Sequence, residues 1–126
     1  MKEPVWVLEQ VVYSIHSEQL VEHGGADGVR DKGLLASALD APRQLFHYKQ
    51  STLSTLAATY AYRIINNHPF IDGNKRTGYI VSRLFLMLNG HDIKASEEER
   101  ATVFLKVADN VVTETELIQF FDRWII

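Results

Sequence analysis

Apolar residues recur along this chain at the i, i+3, i+4 spacing of helices with one buried face, and no stretch alternates long enough to mark a hairpin. Leu8, Val11, Val12, Ile15, Leu20 and Val21 form the first stripe, and Gly24-Gly25 ends it. Pro4 to Val7, ahead of it, is short and β-branched and reads as an extended lead-in. Three of the seven glycines, Gly24, Gly25 and Gly28, fall close together, so Gly24 to Val29 is a tight loop. Asp31 is placed to N-cap a helix through Leu34, Leu35, Ala38 and Leu39, closed by Pro42. Arg43 to Gln50 contains Phe46, His47 and Tyr48 without a clear period, and its content does not decide between a loop and a short extended flap.

Leu53, Leu56, Ala57, Tyr60, Ala61, Ile64 and Ile65 define a helix from Leu53 to Asn67. Pro69 biases His68 away from the αR region and stops that helix near Asn67. A second pattern runs through Ile80, Val81, Leu84, Phe85 and Leu88, with Asn89-Gly90 suited to an αL stop. Gly90-His91-Asp92 makes a turn, and Ser96-Glu97-Glu98-Glu99 reads as a capping box for a helix through Val103, Phe104 and Val107. A second box, Thr113-Glu114-Thr115-Glu116, starts a last helix carrying Leu117, Phe120, Phe121 and Trp124. The expected fold is all-α, about six helices packed around the central pair that flanks the turn His68 to Thr77. With no repeat, low-complexity run or linker, residues 1–126 read as a single domain.

Composition narrows the classes. Hydrophobic residues at 46% and charged residues at 23% are globular rather than disordered proportions. A net charge of −3 argues against general nucleic-acid binding, so Lys75-Arg76 reads as a local cationic site. The absence of cysteine excludes a disulfide framework and a thiol nucleophile and fits a reducing cytoplasm. Met1-Lys2-Glu3-Pro4 shows no signal-peptide pattern, and no apolar run approaches the roughly 18 residues of a membrane span.

The polar turn His68-Pro69-Phe70-Ile71-Asp72-Gly73-Asn74-Lys75-Arg76-Thr77 concentrates the chemistry. Its second half is a helix N-terminus, where free N–H groups and the dipole favour an anion. Gly73 tolerates φ > 0 and close ligand approach. Lys75 and Arg76 are unfavourable in a first helical turn without an anion, and together they suit phosphate oxygens. Asp72 alone would be a turn or cap residue; beside Gly73, Asn74 and Lys75 it reads as a hard oxygen ligand of the kind Mg²⁺ accepts with substrate phosphates. Histidine is the side-chain type whose ordinary pKa suits proton abstraction near neutrality, although alone His68 would more often be a helix-end residue near C-terminal carbonyls. Asn74 fixes the turn, a role compatible with phosphate binding. Phe70 is expected in the core as an anchor for the loop. Tyr79 and Arg83, one and two turns beyond Arg76, are groove candidates, as is Phe46. The remaining histidines show no metal spacing, so no zinc site is expected.

HPFIDGNKRT resembles the active-site motif of the Fic/Doc family, HPFx[DE]GNGRxxR in the Fic branch and HxFx[DE]xNKR in the Doc branch. His16, His23 to Asp31, Leu34 to Leu39 and Pro42 through Phe46 resemble the N-terminal half of death-on-curing (Doc) toxins, extending the likeness over roughly residues 8 to 125. Lys75 replaces the Fic glycine and Tyr79 the second Fic arginine, both pointing to the Doc branch. The resemblance implies a toxin of a toxin-antitoxin pair that transfers the γ-phosphate of ATP to a protein hydroxyl. His68 then takes the hydroxyl proton, Asp72 holds Mg²⁺, and Gly73, Asn74, Lys75 and Arg76 bind the phosphates, Lys75 and Arg76 also acting catalytically. It further implies elongation factor Tu as target, growth arrest, and an antitoxin docked in the groove. His16 and Arg30-Asp31 match the family's N-terminal pattern and are expected to be scaffold. Two other readings remain: AMP transfer by the same base and anion nest, and a non-catalytic partner-binding module. Direct nucleic-acid cleavage is disfavoured by the acidic balance.

Overall fold

A computed structural model describes residues 2–126 and shows six α-helices: α1 (Glu9–His23), α2 (Lys32–Lys49), α3 (Leu53–Asn67), α4 (Asn74–Leu88), α5 (Glu97–Ala108) and α6 (Glu114–Trp124). The described residues otherwise make only two isolated antiparallel bridges, Val29 with Phe70 and Ile93 with Ile125. The all-α expectation holds. α3 is its axis, because Leu56 to Ala61 is an unbroken buried run and a helix apolar on every side must be covered on every side. α2, α4, α5 and α6 supply that cover, and α1 packs on α4.

Local chemistry explains most boundaries. Asp31 accepts from the Leu34 N–H and starts α2. Ser96 with Glu99, and Thr113 with Glu116, form complete capping boxes at α5 and α6. The lead-in is anchored by Trp6, whose ring stacks on Phe85 and meets Phe46 edge-on, and by Asn89, which both donates to and accepts from the Val5 backbone.

Two expectations fail. Pro42 does not close α2, which runs on to Lys49, so residues 43–49 are helix rather than loop or flap and Gln50 is its left-handed cap. Leu35, Ala38, Leu39, Pro42 and Phe46 are all buried, so the proline is itself part of an i, i+3, i+4, i+7, i+11 stripe. Its packing against the core outweighs the lost helical hydrogen bond. Val21 is 88% exposed instead of facing inward. The buried face of α1 runs through Val12, His16 and Gln19, and Val21 lies half a turn away.

Gly78 sets the spacing of the central pair. A Cβ there would stand 2.9 Å from Ile65 Cγ1 and 3.1 Å from the Ala61 carbonyl oxygen, so the backbones of α3 and α4 meet too closely for any side chain. Gly78→Ala gains about 1 kcal/mol of helix propensity. Overpacking costs about 1–3 kcal/mol. The expected outcome is a lower urea midpoint at unchanged slope.

Candidate active site

The loop between α3 and α4 is built so that Phe70 points in and the polar side chains of His68 and Asp72 point out. His68 caps α3 in the left-handed region (φ 53°, ψ 54°), where a non-glycine residue costs about 1–2 kcal/mol. Its N–H donates to Ile64 O at 3.2 Å, and its side chain is exposed. Phe70 is fully buried, stacked on His16 with ring centroids 3.7 Å apart and edge-on to Tyr13. Asn74 clamps it: Oδ1 accepts from the Phe70 N–H at 3.0 Å and Nδ2 donates to Phe70 O at 2.9 Å. With its side chain committed to the loop, Asn74 offers a ligand only its backbone N–H. His16, also buried, donates from Nε2 to Asp72 O at 2.8 Å, since a carbonyl oxygen can only accept. The Asp72 carboxylate is exposed, with Oδ2 accepting from the Ala26 N–H at 3.2 Å.

At Gly73 the chain turns with φ 82° into α4, and no side chain caps that helix. The first-turn N–H groups therefore have no partner within the helix. The contrast with α5 and α6 is informative, since both carry carboxylates in the first turn, whereas α4 has none and carries Lys75 and Arg76. Arg76 Nη2 makes a long contact to Gly24 O at 3.4 Å, and its Nε is buried with no acceptor among the described residues. The N-terminus of α4 with Lys75 and Arg76 lines a cleft of about 330 Å³ shared with His68, Asp72, Gly73, Ile65 and Ala108.

Lys75 and Arg76 also begin a groove of about 490 Å³ along α4 between α1 and α5, where Tyr79 and Arg83 both lie. Each has a fixed partner that sequence reading did not name. The Tyr79 hydroxyl accepts from Arg100 Nη1 at 2.7 Å, and Arg83 makes a two-point pair with Asp92 at 2.9 and 3.1 Å. Phe46, the third groove candidate, lines neither cleft; it is 4% exposed and packs in the core under Trp6, because α2 continues past Pro42. A larger cleft of about 530 Å³ between α5 and α6 is lined by side chains of both charge signs and holds no residue of the motif.

The Arg83 hydrogen bonds hold the Asp92 carboxyl below its usual range. A lowered folded pKa means the pair contributes above the ordinary carboxylate value and loses its contribution as pH falls through the folded one. Asp92→Asn is expected to cost about 0.5–1 kcal/mol at pH 7, the worth of a well-aligned surface pair. Thermal melts should show the gap to wild type closing below about pH 4.

This chain belongs to the Fic/Doc family: the model for the Fic/DOC family matches residues 6–86, more than half of its length. Its relatives carry Doc names, which places it on the Doc branch. It is 30% identical over 86 residues to Protein kinase doc of Escherichia phage P1, covering 68% of each chain. It is 34% identical over 77 residues to Toxin Doc of Mycolicibacterium smegmatis (strain ATCC 700084 / mc(2)155), covering 60% of this chain and 59% of that protein. No helix among the described residues is long and apolar enough to cross a membrane.

Proposed function

We propose that this chain is a toxin acting as an ATP-dependent protein kinase, with elongation factor Tu as its target and translation arrest as the outcome. The observation that supports it most is one cleft lined by both an exposed histidine and an uncapped, cation-bearing helix N-terminus. His68 takes the proton of the attacking hydroxyl, the hydroxyl oxygen bonds to the γ-phosphorus, and the bond to the β-phosphate oxygen breaks to release ADP. The Gly73 to Lys75 amides and Arg76 stabilise the charge that develops on the transferred group.

Asp72 fits Mg²⁺ in one way only. No group of three metal-ligating side chains occurs among the described residues, so a single exposed carboxylate would hold the ion together with substrate phosphates. When bound, the ion neutralises phosphate charge. The antitoxin is read into the groove that Lys75 and Arg76 share with Tyr79 and Arg83, residues 1–126 as one domain, and the setting as cytoplasm, with neither membrane nor nucleic acid as partner.

AMP transfer is the second reading, because base and amides would serve attack on the α-phosphate equally well. Lys75 favours the γ-phosphate, since its long cation fills room that distal phosphates need when the α-phosphate faces the base. Incubation with ATP labelled at the γ- or the α-phosphate tests this. Label from the γ-position alone is expected on the target, and label from the α-position would replace the kinase by a nucleotidyltransferase. Lys75→Gly is expected to lower γ-label transfer; unaltered phosphotransfer would remove the role given to that lysine.

A further inference from the structure

We propose that Arg30 is a positioning residue that holds His68 in its left-handed conformation and so aims the imidazole into the cleft; this rests on the reading of His68 as the base. Arg30 donates from Nε to His68 O at 2.7 Å and from Nη2 to Asn67 O at 2.9 Å. These are carbonyls at the C-terminal end of α3, left without helical partners and favouring a cation. The Arg30 and Asp31 N–H groups both donate to Pro69 O, at 2.7 and 3.0 Å, and the Ile71 N–H donates to Gly28 O. The peptide before His68 is tied to Ile64, and the peptide after it to Arg30. Both planes that define φ and ψ of His68 are thereby fixed, and with them the direction of its Cα–Cβ bond. Asn74 ties Phe70 and leaves His68 to this strap.

The fork geometry matters, because a guanidinium reaches two carbonyls at once and an ammonium is a single point. Arg30 is itself exposed, so its removal leaves no cavity in the core. Arg30→Ala is expected to lower the transfer rate at saturating ATP roughly ten- to a hundredfold, the scale of a misaimed catalytic group. The KM for ATP should stay within about twofold, since the phosphate-binding amides are untouched. Arg30→Lys should fall between, and millimolar guanidinium ion, unlike sodium or urea, should restore part of the loss. An Arg30→Ala enzyme with wild-type rate overturns the proposal, as does one whose rate loss comes with a raised KM for ATP and a lower Tm and is not rescued. His68→Ala is run alongside, and full activity there would defeat the base reading by itself. The positioning claim is then judged by the His68 Cα chemical shift, which must leave its left-handed value in Arg30→Ala; an unchanged shift overturns it.

Discussion

His68→Ala is expected to reduce transfer to the protein target by about 10²–10⁴-fold, the usual worth of a positioned general base. The prediction is sharp because nothing else in the cleft replaces that role: its other ionisable groups are Asp72, Lys75 and Arg76. Lys75 and Arg76 are assigned to the phosphates, and Asp72 to phosphate-bound metal. The fold should not suffer, since the His68 side chain is exposed and the loop is held through backbone groups and Asn74. Stability within about 0.5 kcal/mol of wild type is expected, as for surface substitutions generally. Urea melts with label transfer separate the two effects. Growth inhibition that persists in His68→Ala would favour the partner-binding module over the enzyme.

Phe70→Ala should be the most destabilising change in the loop, at about 3–5 kcal/mol, the range for emptying a core aromatic site. The ring is fully buried, stacked on His16 and met by Tyr13, while its backbone is gripped by Asn74 and bridged to Val29. A native domain has only about 5–15 kcal/mol in total, so the variant spends much of that margin. Its activity should fall further than its folded fraction does, because His16 loses the face that orients it toward Asp72 O. Phe70→Leu keeps most of the apolar volume and should recover much of both. A Phe70→Ala protein as stable as wild type would show that the loop is not anchored through the core.

What was legible in the sequence was local. The caps at Asp31, Ser96 and Thr113 work over three residues, so the pattern of oxygens and N–H groups is written contiguously. The stop at Asn67 follows from one proline. Apart from Ala108, contributed by α5, the residues of the candidate cleft are near neighbours in the chain and therefore in space. The continuation of α2 through Pro42 was not legible, because proline counts as a breaker until tertiary packing makes it a core residue. The partners of Arg83 and Tyr79 lie 9 and 21 positions away, and the Arg30 contact to His68 spans 38. Arg30 sits beside an N-cap aspartate, where local rules assign it no task. Gly78 is not legible for the same reason: helix propensity marks it as a weakness, and only the facing turn of α3 explains it.

The central claim is that this cleft passes the terminal phosphoryl group of ATP to a hydroxyl of elongation factor Tu. The intact mass of that factor after incubation with the wild-type chain, ATP and Mg²⁺ tests it most directly. A single phosphoryl increment, absent when His68→Ala replaces the wild type, is the result expected. An adenylyl increment, or an unmodified factor from a chain that still arrests translation, would contradict it.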